Sequence, residues 1–226
     1  MDFRLHFWTP AFAGATGKER LTSTWKRSRV EALSPKKDTL KSYSMHSVMG
    51  AANRAVAMAC QWMRGIHPQA HIHNVQEEAR FQHLGVDLLW EKDTQQIEGV
   101  EVKGDRSRGK HFFFELVSNF EKNTPGCFLY SRADWLVYVF LPLRTLYVLP
   151  LPATRAWFLP LAQTFRLQKA HTRVGPVAYT TLGVTVPVGI LMRALPQVCV
   201  WRQEGEGFVP VAGPVASPTT SGSTSG

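Results

Sequence analysis

From residue 84 to residue 149 the chain repeats one pattern: an apolar run of strand length, a short polar turn, then another run. This cadence constrains the fold more than any other feature, because runs of that length and period bury their side chains most readily in a sheet. Residues 84–90 are apolar apart from one acid, Asp87, and Glu91-Lys92-Asp93-Thr94 turns the chain. Residues 97–103 alternate, Gly104-Asp105-Arg106-Ser107 turns again, and residues 111–118 form a third strand in which Phe112, Phe113 and Phe114 would cover both faces. After Thr124-Pro125-Gly126, residues 133–140 suit a helix or a strand, and residues 146–149 suit a short strand. Helical signals frame the series. In residues 51–64, Ala55, Met58, Ala59, Trp62 and Met63 make an apolar stripe at helical spacing, with Gly65 and Pro68 as stop signals. Residues 74–82 add a helical turn or two, residues 152–158 open a further helix, and residues 180–190 alternate weakly. The expected fold class is α/β (α+β), a small mixed β-sheet flanked by helices.

The ends of the chain read differently. Residues 1–44 hold nine Lys/Arg against four Asp/Glu and carry more than half of the net charge of +9. They show no sustained period and are broken by Thr9-Pro10, Gly14, Gly17 and Ser34-Pro35, so a poorly structured basic extension is expected. Pro10 interrupts the only apolar run near the start, which argues against a secretory signal. The string from His6 to Gly17 resembles the translation of dispersed repeats between bacterial genes, which favours a start at Met45 or Met49. The rival reading is a basic arm on DNA phosphates. Residues 45–211 are expected to form the working domain and residues 212–226 a disordered tail of small residues and proline. A hydrophobic content of 44% excludes global disorder, and no uncharged apolar stretch reaches the roughly 20 residues of a spanning helix. Cys60, Cys127 and Cys199 are odd in number and far apart, which fits a reducing cytoplasm better than a disulfide framework.

Chemistry concentrates around residues 87–103. In a strand, Glu101 and Lys103 share one face with Cα atoms about 6.5–7 Å apart, while Val100 and Val102 face the other way. Asp87 is a lone carboxylate in an apolar run, costly unless it meets a cation or donors. If the two strands pair, Asp87 and Glu101 converge on one hard divalent cation beside Lys103, and two carboxylates plus waters and a phosphate oxygen suit Mg²⁺.

Asp87, thirteen residues, then Glu101-Val102-Lys103 resembles the metal-dependent PD-(D/E)XK nuclease superfamily, with Val86 in place of the proline. The downstream text Phe114-Glu115-Leu116-Val117-Ser118-Asn119, Thr124-Pro125-Gly126 and Ala133-Asp134-Trp135-Leu136-Val137-Tyr138 is similar to a branch found in phage and mobile-element proteins. The resemblance spans roughly residues 74–157. It implies a restriction-endonuclease-like core and Mg²⁺- or Mn²⁺-dependent cleavage of DNA phosphodiesters, with Asp87 and Glu101 on the metal and Lys103 orienting water or stabilising charge. Glu115 reads as a further ligand or as a core-edge glutamate. Glu77 or Glu78 reads as an accessory acid on a preceding helix or as part of a solvated pair. Ser118, Asn119 and Lys122 would face substrate, although turn chemistry explains the first two equally well. Asp134 reads as a helix cap, and His67, His71 and His73 as a polar loop without zinc spacing. The alternative from another class is a non-catalytic DNA-binding or assembly protein on the same fold. A homodimer is compatible with the resemblance, with residues 179–192 either at its interface or completing the core.

Overall fold

The apolar stripe of residues 51–64 becomes the buried face of helix α1 (Met45–Ile66), where Ala55, Ala59, Trp62 and Met63 lie in the core and Met58 packs at its margin. The helix runs through Gly65 and ends one residue later, at Ile66. The structure, a computed structural model, describes residues 42–92, 96–174 and 177–212. The extension up to residue 41 and the tail after residue 212 lie outside the described residues. Strand β1 (Ser42–Ser44) pairs in parallel with a later strand, so the described fold begins just before Met45. The compact unit to which these residues belong starts at Lys41.

Beyond α1 come β2 (His71–Asn74), the short helix α2 (Ala79–Gln82), β3 (Leu88–Glu91), β4 (Ile97–Asp105), β5 (His111–Asn119), β6 (Thr124–Pro125) and α3 (Cys127–Tyr130). The second half contains β7 (Trp135–Phe140), β8 (Thr145–Pro150), α4 (Leu151–Leu161), β9 (Arg166–Val174), β10 (Val177–Pro187), α5 (Val188–Ala194), β11 (Cys199–Glu204) and β12 (Gly207–Ala212). Seven strands form a mixed sheet in the order β12-β11-β8-β7-β4-β3-β2, and a second sheet runs β1-β9-β10-β5-β6. The α+β class is as expected, but the sheet is larger than the small one anticipated and is joined by another. Residues 133–140, which suit a helix or a strand, resolve as strand β7 (Trp135–Phe140), parallel to β4. The reading of the histidine segment as a polar loop is corrected: His71 and His73 lie on β2, paired with β3 at the sheet edge.

Two apolar layers hold the sheets in place. Val100 and Val102 of β4 join Val137, Val139, Leu146 and Val148 against α1, where Trp62 meets Trp90 edge-on at 5.7 Å. On the second sheet, Phe112 packs edge-on against Tyr138 and Tyr147, and Phe114 stacks on Phe128 at 4.1 Å and meets Phe158 edge-on. Phe112 and Phe114 are fully buried and Phe113 is half-buried, as three consecutive aromatics in a covered strand require. Leu182, Val184, Val186 and Leu191 are buried too, so residues 179–192 complete the core. No helix among the described residues is long and apolar enough to cross a membrane.

Gly104 sets the closeness of α1 to the sheet. A Cβ there would lie 2.7 Å from the Ala51 carbonyl oxygen, whereas one at Gly65 would meet nothing within 4 Å. Gly104→Ala is expected to cost about 1–3 kcal/mol in chemical denaturation through overpacking. Gly65→Ala should instead leave stability unchanged or raise it by up to about 1 kcal/mol through helix propensity.

Candidate functional site

The alternation of β4 decides where its charges go. With Val100 and Val102 turned into the α1 layer, Glu101 and Lys103 turn towards the second sheet. There they line a small cavity together with Glu115, Cys127, Phe113, Phe114, Phe128 and Tyr138. Its volume is about 10 Å³, room for about one water-sized body. Glu115 reaches this place because β5 leaves the seven-stranded sheet and pairs with β10 in the other one. Its carboxylate lies 3.6 Å from the Lys103 ammonium, so Glu115 is the counter-ion of Lys103.

Asp87 stands immediately before β3 rather than within it, after a turn in which Gly85 has a positive φ of 61°. It brackets Glu101 from the neighbouring strand: its N–H donates to the Val100 carbonyl at 2.9 Å, and its Oδ2 accepts the Val102 N–H at 2.8 Å. Gln76 supplies a further side-chain hydrogen bond to Asp87. The segment ahead of the strand thus contributes Gln76, while Glu77 and Glu78 are exposed, precede α2 instead of lying on a helix, and stay outside the cavity lining. Glu78 pairs with Arg80 at 2.9 Å.

The electrostatics follow from burial and proximity. Burial, and then the neighbouring Asp87 carboxylate, push the Glu101 carboxyl well above the usual range, with Lys103 and the Cys127 thiol hydrogen bond partly offsetting them. Asp87 is raised by burial and partly relieved by the Val102 N–H, Gln76 and Lys103. The Glu115 carboxylate holds Lys103 protonated despite its burial. Burial and then Glu101 push the Cys127 thiol up, so it is a neutral donor and not a thiolate.

Three contributors were overlooked in the sequence. Tyr138 lies in register with Lys103 on β7, and its hydroxyl donates to Asp105 Oδ2 while accepting the Phe113 N–H at 3.0 Å. It therefore ties β4, β7 and the second sheet together at the cavity. Asp105 continues the odd-numbered face of β4, a signal legible in the alternation itself. Cys127 enters because Gly126 lets α3 approach β5, where a Cβ would collide with the Glu115 carbonyl. Arg155 of α4 secures α3 by donating to the carbonyls of Phe128 at 2.9 Å and Ser131 at 2.8 Å.

Ser118, Asn119 and Lys122 are not part of the cavity lining. Ser118 Oγ donates to the Pro125 carbonyl at 3.1 Å, and Asn119 Oδ1 accepts the Lys122 N–H at 2.8 Å, so these side chains close the turn after β5. Asp134 is no helix cap. It starts β7 by exchanging bonds with Gly99, whose N–H reaches its Oδ2 at 2.8 Å.

Neither family models, nor curated proteins, nor solved structures match this chain. The site is therefore read from its own chemistry. Among the described residues, no three His, Cys, Asp or Glu side chains are gathered as a metal cluster. Mg²⁺ does not require one, since it commonly binds through one or two carboxylates and keeps several waters. Asp87 and Glu101 are hard oxygen donors, each raised in pKa by burial and Glu101 also by Asp87, and a dication shared between them would relieve both. In donor type, though not through a formed cluster, the pair suits such an ion.

The raised Glu101 carboxyl has a consequence for stability. From about pH 4.3 upward the unfolded chain has released this proton while the native chain still holds it. Stability therefore falls as pH rises through that window. In chelator, Glu101→Gln should be more stable than wild type at neutral pH, with the difference shrinking towards pH 4, as read by thermal melts across pH. Tyr138→Phe should cost about 1–3 kcal/mol in chemical denaturation, because it removes a partner from both Asp105 and the Phe113 N–H.

Proposed function

We propose that this chain is a Mg²⁺-dependent deoxyribonuclease of the PD-(D/E)XK kind, hydrolysing DNA phosphodiesters at Asp87, Glu101 and Lys103. The observation that carries the reading is the pair of hydrogen bonds by which Asp87 binds the β4 backbone on either side of Glu101, with Lys103 beside Glu101 in the cavity. Asp87 and Glu101 would hold Mg²⁺ or Mn²⁺, which supplies Lewis acidity at the phosphate and a more acidic bound water.

The remaining roles belong to the chain. Lys103, held protonated by Glu115, is a cation and serves to orient water and offset charge on the phosphate oxygens, not to abstract a proton. Glu115 keeps the Lys103 ammonium in place. The Val102 N–H and Gln76 fix the Asp87 carboxylate, and Glu101 is the adaptable donor. The Tyr138 bridge keeps β5, and with it Glu115, against β4.

The test is cleavage by the full chain of linear duplex, single-stranded and four-way-junction DNA, with Mg²⁺ or with EDTA. Cleavage should require the metal and fall at least about 100-fold in Asp87→Asn and in Lys103→Ala. Mg²⁺ should also raise the melting temperature of wild type and not of Glu101→Gln. Cleavage that survives either substitution would overturn the residue assignment. Tight DNA binding with no cleavage of any substrate would favour the non-catalytic DNA-binding alternative.

A further inference from the structure

We infer that the loop joining β4 to β5 grips the DNA backbone a few phosphates from the scissile one; the inference rests on the nuclease reading and adds the surface that holds the substrate. The loop carries Arg106, Arg108 and Lys110 within five residues, followed by His111, and no acid lies between Asp105 and His111. All four side chains are exposed. Neither Arg108 nor Lys110 is ion-paired with an acid among the described residues. The nearest acid in sequence, Asp105, is already engaged on both oxygens, with Oδ1 accepting the Ser107 N–H at 2.6 Å and Oδ2 accepting the Tyr138 hydroxyl.

The loop is also held in place, which distinguishes it from an ordinary solvated charge run. Asp105 and Ser107 close its start. Gly109, at a φ of 73°, turns the chain where any side chain would be strained and would meet Leu143 at 2.5 Å. At its end the Lys110 carbonyl accepts the Val188 N–H at 3.2 Å. Cations presented on a tethered loop lose less freedom on binding than cations on a loose one.

Position supplies the partner. Arg106 follows Lys103 by three residues along an extended strand, so the cluster begins about 10 Å from Lys103. A DNA strand carries a charge every 3.4 Å or so along its axis, which places the loop about three phosphates from one held at Lys103. Phosphate contacts of this kind position the duplex and carry no sequence information. The loop therefore predicts strong salt dependence without base preference.

The test is fluorescence anisotropy of labelled duplex DNA with the full chain in EDTA, between about 50 and 200 mM salt. Arg108→Ala/Lys110→Ala should reduce the magnitude of the slope of log K against log salt by about 1.8, that is about 0.9 per lost phosphate contact. Arg202→Ala, an exposed cation on β11 three strands away from β4, should leave the slope unchanged. Thermal melts establish that the double variant is folded; if it is not, Arg108→Ala alone should lower the slope by about 0.9. An unchanged slope in a folded variant, with wild type still binding, would overturn the loop assignment and leave the nuclease reading standing. Absence of salt-dependent binding by wild type would overturn both.

Discussion

Strand β4 is asked to satisfy two opposite environments, and the rest of the structure depends on how it does so. Its even-numbered residues, Val100, Val102 and Gly104, complete an apolar layer under α1, and Gly104 permits near contact with the helix backbone. Its odd-numbered residues Glu101 and Lys103, with Asp105 following, are thereby committed to the other face. A slip of one residue would exchange the two sets and drive a carboxylate and an ammonium into the layer occupied by Trp62 and Met63. The hydrophobic layer thus fixes the register, and the register delivers the polar constellation. No separate device is needed to aim Glu101 and Lys103.

Delivering charges to a covered face has a cost that the surrounding groups only partly offset. Lys103 meets Glu115, Asp87 meets the Val102 N–H and Gln76, and Glu101 is left with a thiol donor and a carboxylate neighbour. Ion pairs of this sort are weak evidence of stabilisation, because desolvation consumes much of the attraction. An apolar residue at position 101 would suit the folded chain better, considering only packing between Phe114, Leu136 and Leu151. A fold that keeps a penalised acid beside another acid and a lysine, at the seam of its two sheets, is most simply explained by use.

The sequence disclosed what depends on local period and hid what depends on distant partners. The α1 stripe, the alternation of 97–103 and the helix beginning near 152 were legible because each rests on its own apolar spacing, whereas β4 continues through Gly104 and Asp105, which read as a turn. The pairing of β5 with β10, some 70 residues apart, was not legible, nor were β9 and β11, whose polar positions break the apolar pattern, nor β12, a largely exposed edge strand that contains Pro210. Tyr138 was hidden for a related reason. Its hydroxyl matters only once parallel pairing brings it alongside Lys103 and the second sheet brings the Phe113 N–H to it. Of the two readings of Glu77 and Glu78, the solvated one agrees with their exposure and with the Glu78–Arg80 pair, and the neighbouring Gln76 is the side chain that reaches Asp87.

The crossing of the chain between the two sheets links the cavity to the basic loop. β5 cannot continue beside β4, because β4 already has β3 on one side and β7 on the other. The chain must therefore leave the seven-stranded sheet after Asp105 and return over its face as β5, with the 106–110 loop making the passage. The same passage brings Glu115 back to Lys103 and places the Phe113 N–H within reach of Tyr138. A loop with this task has to be short and anchored at both ends, which it is through Asp105 and Lys110. Its exposed positions are free to carry any side chain that tolerates water, and they carry cations. Topology requires a tight connection between Asp105 and His111; it does not require a basic one, and on the proposed nuclease reading that excess of charge is what a polyanionic substrate would select.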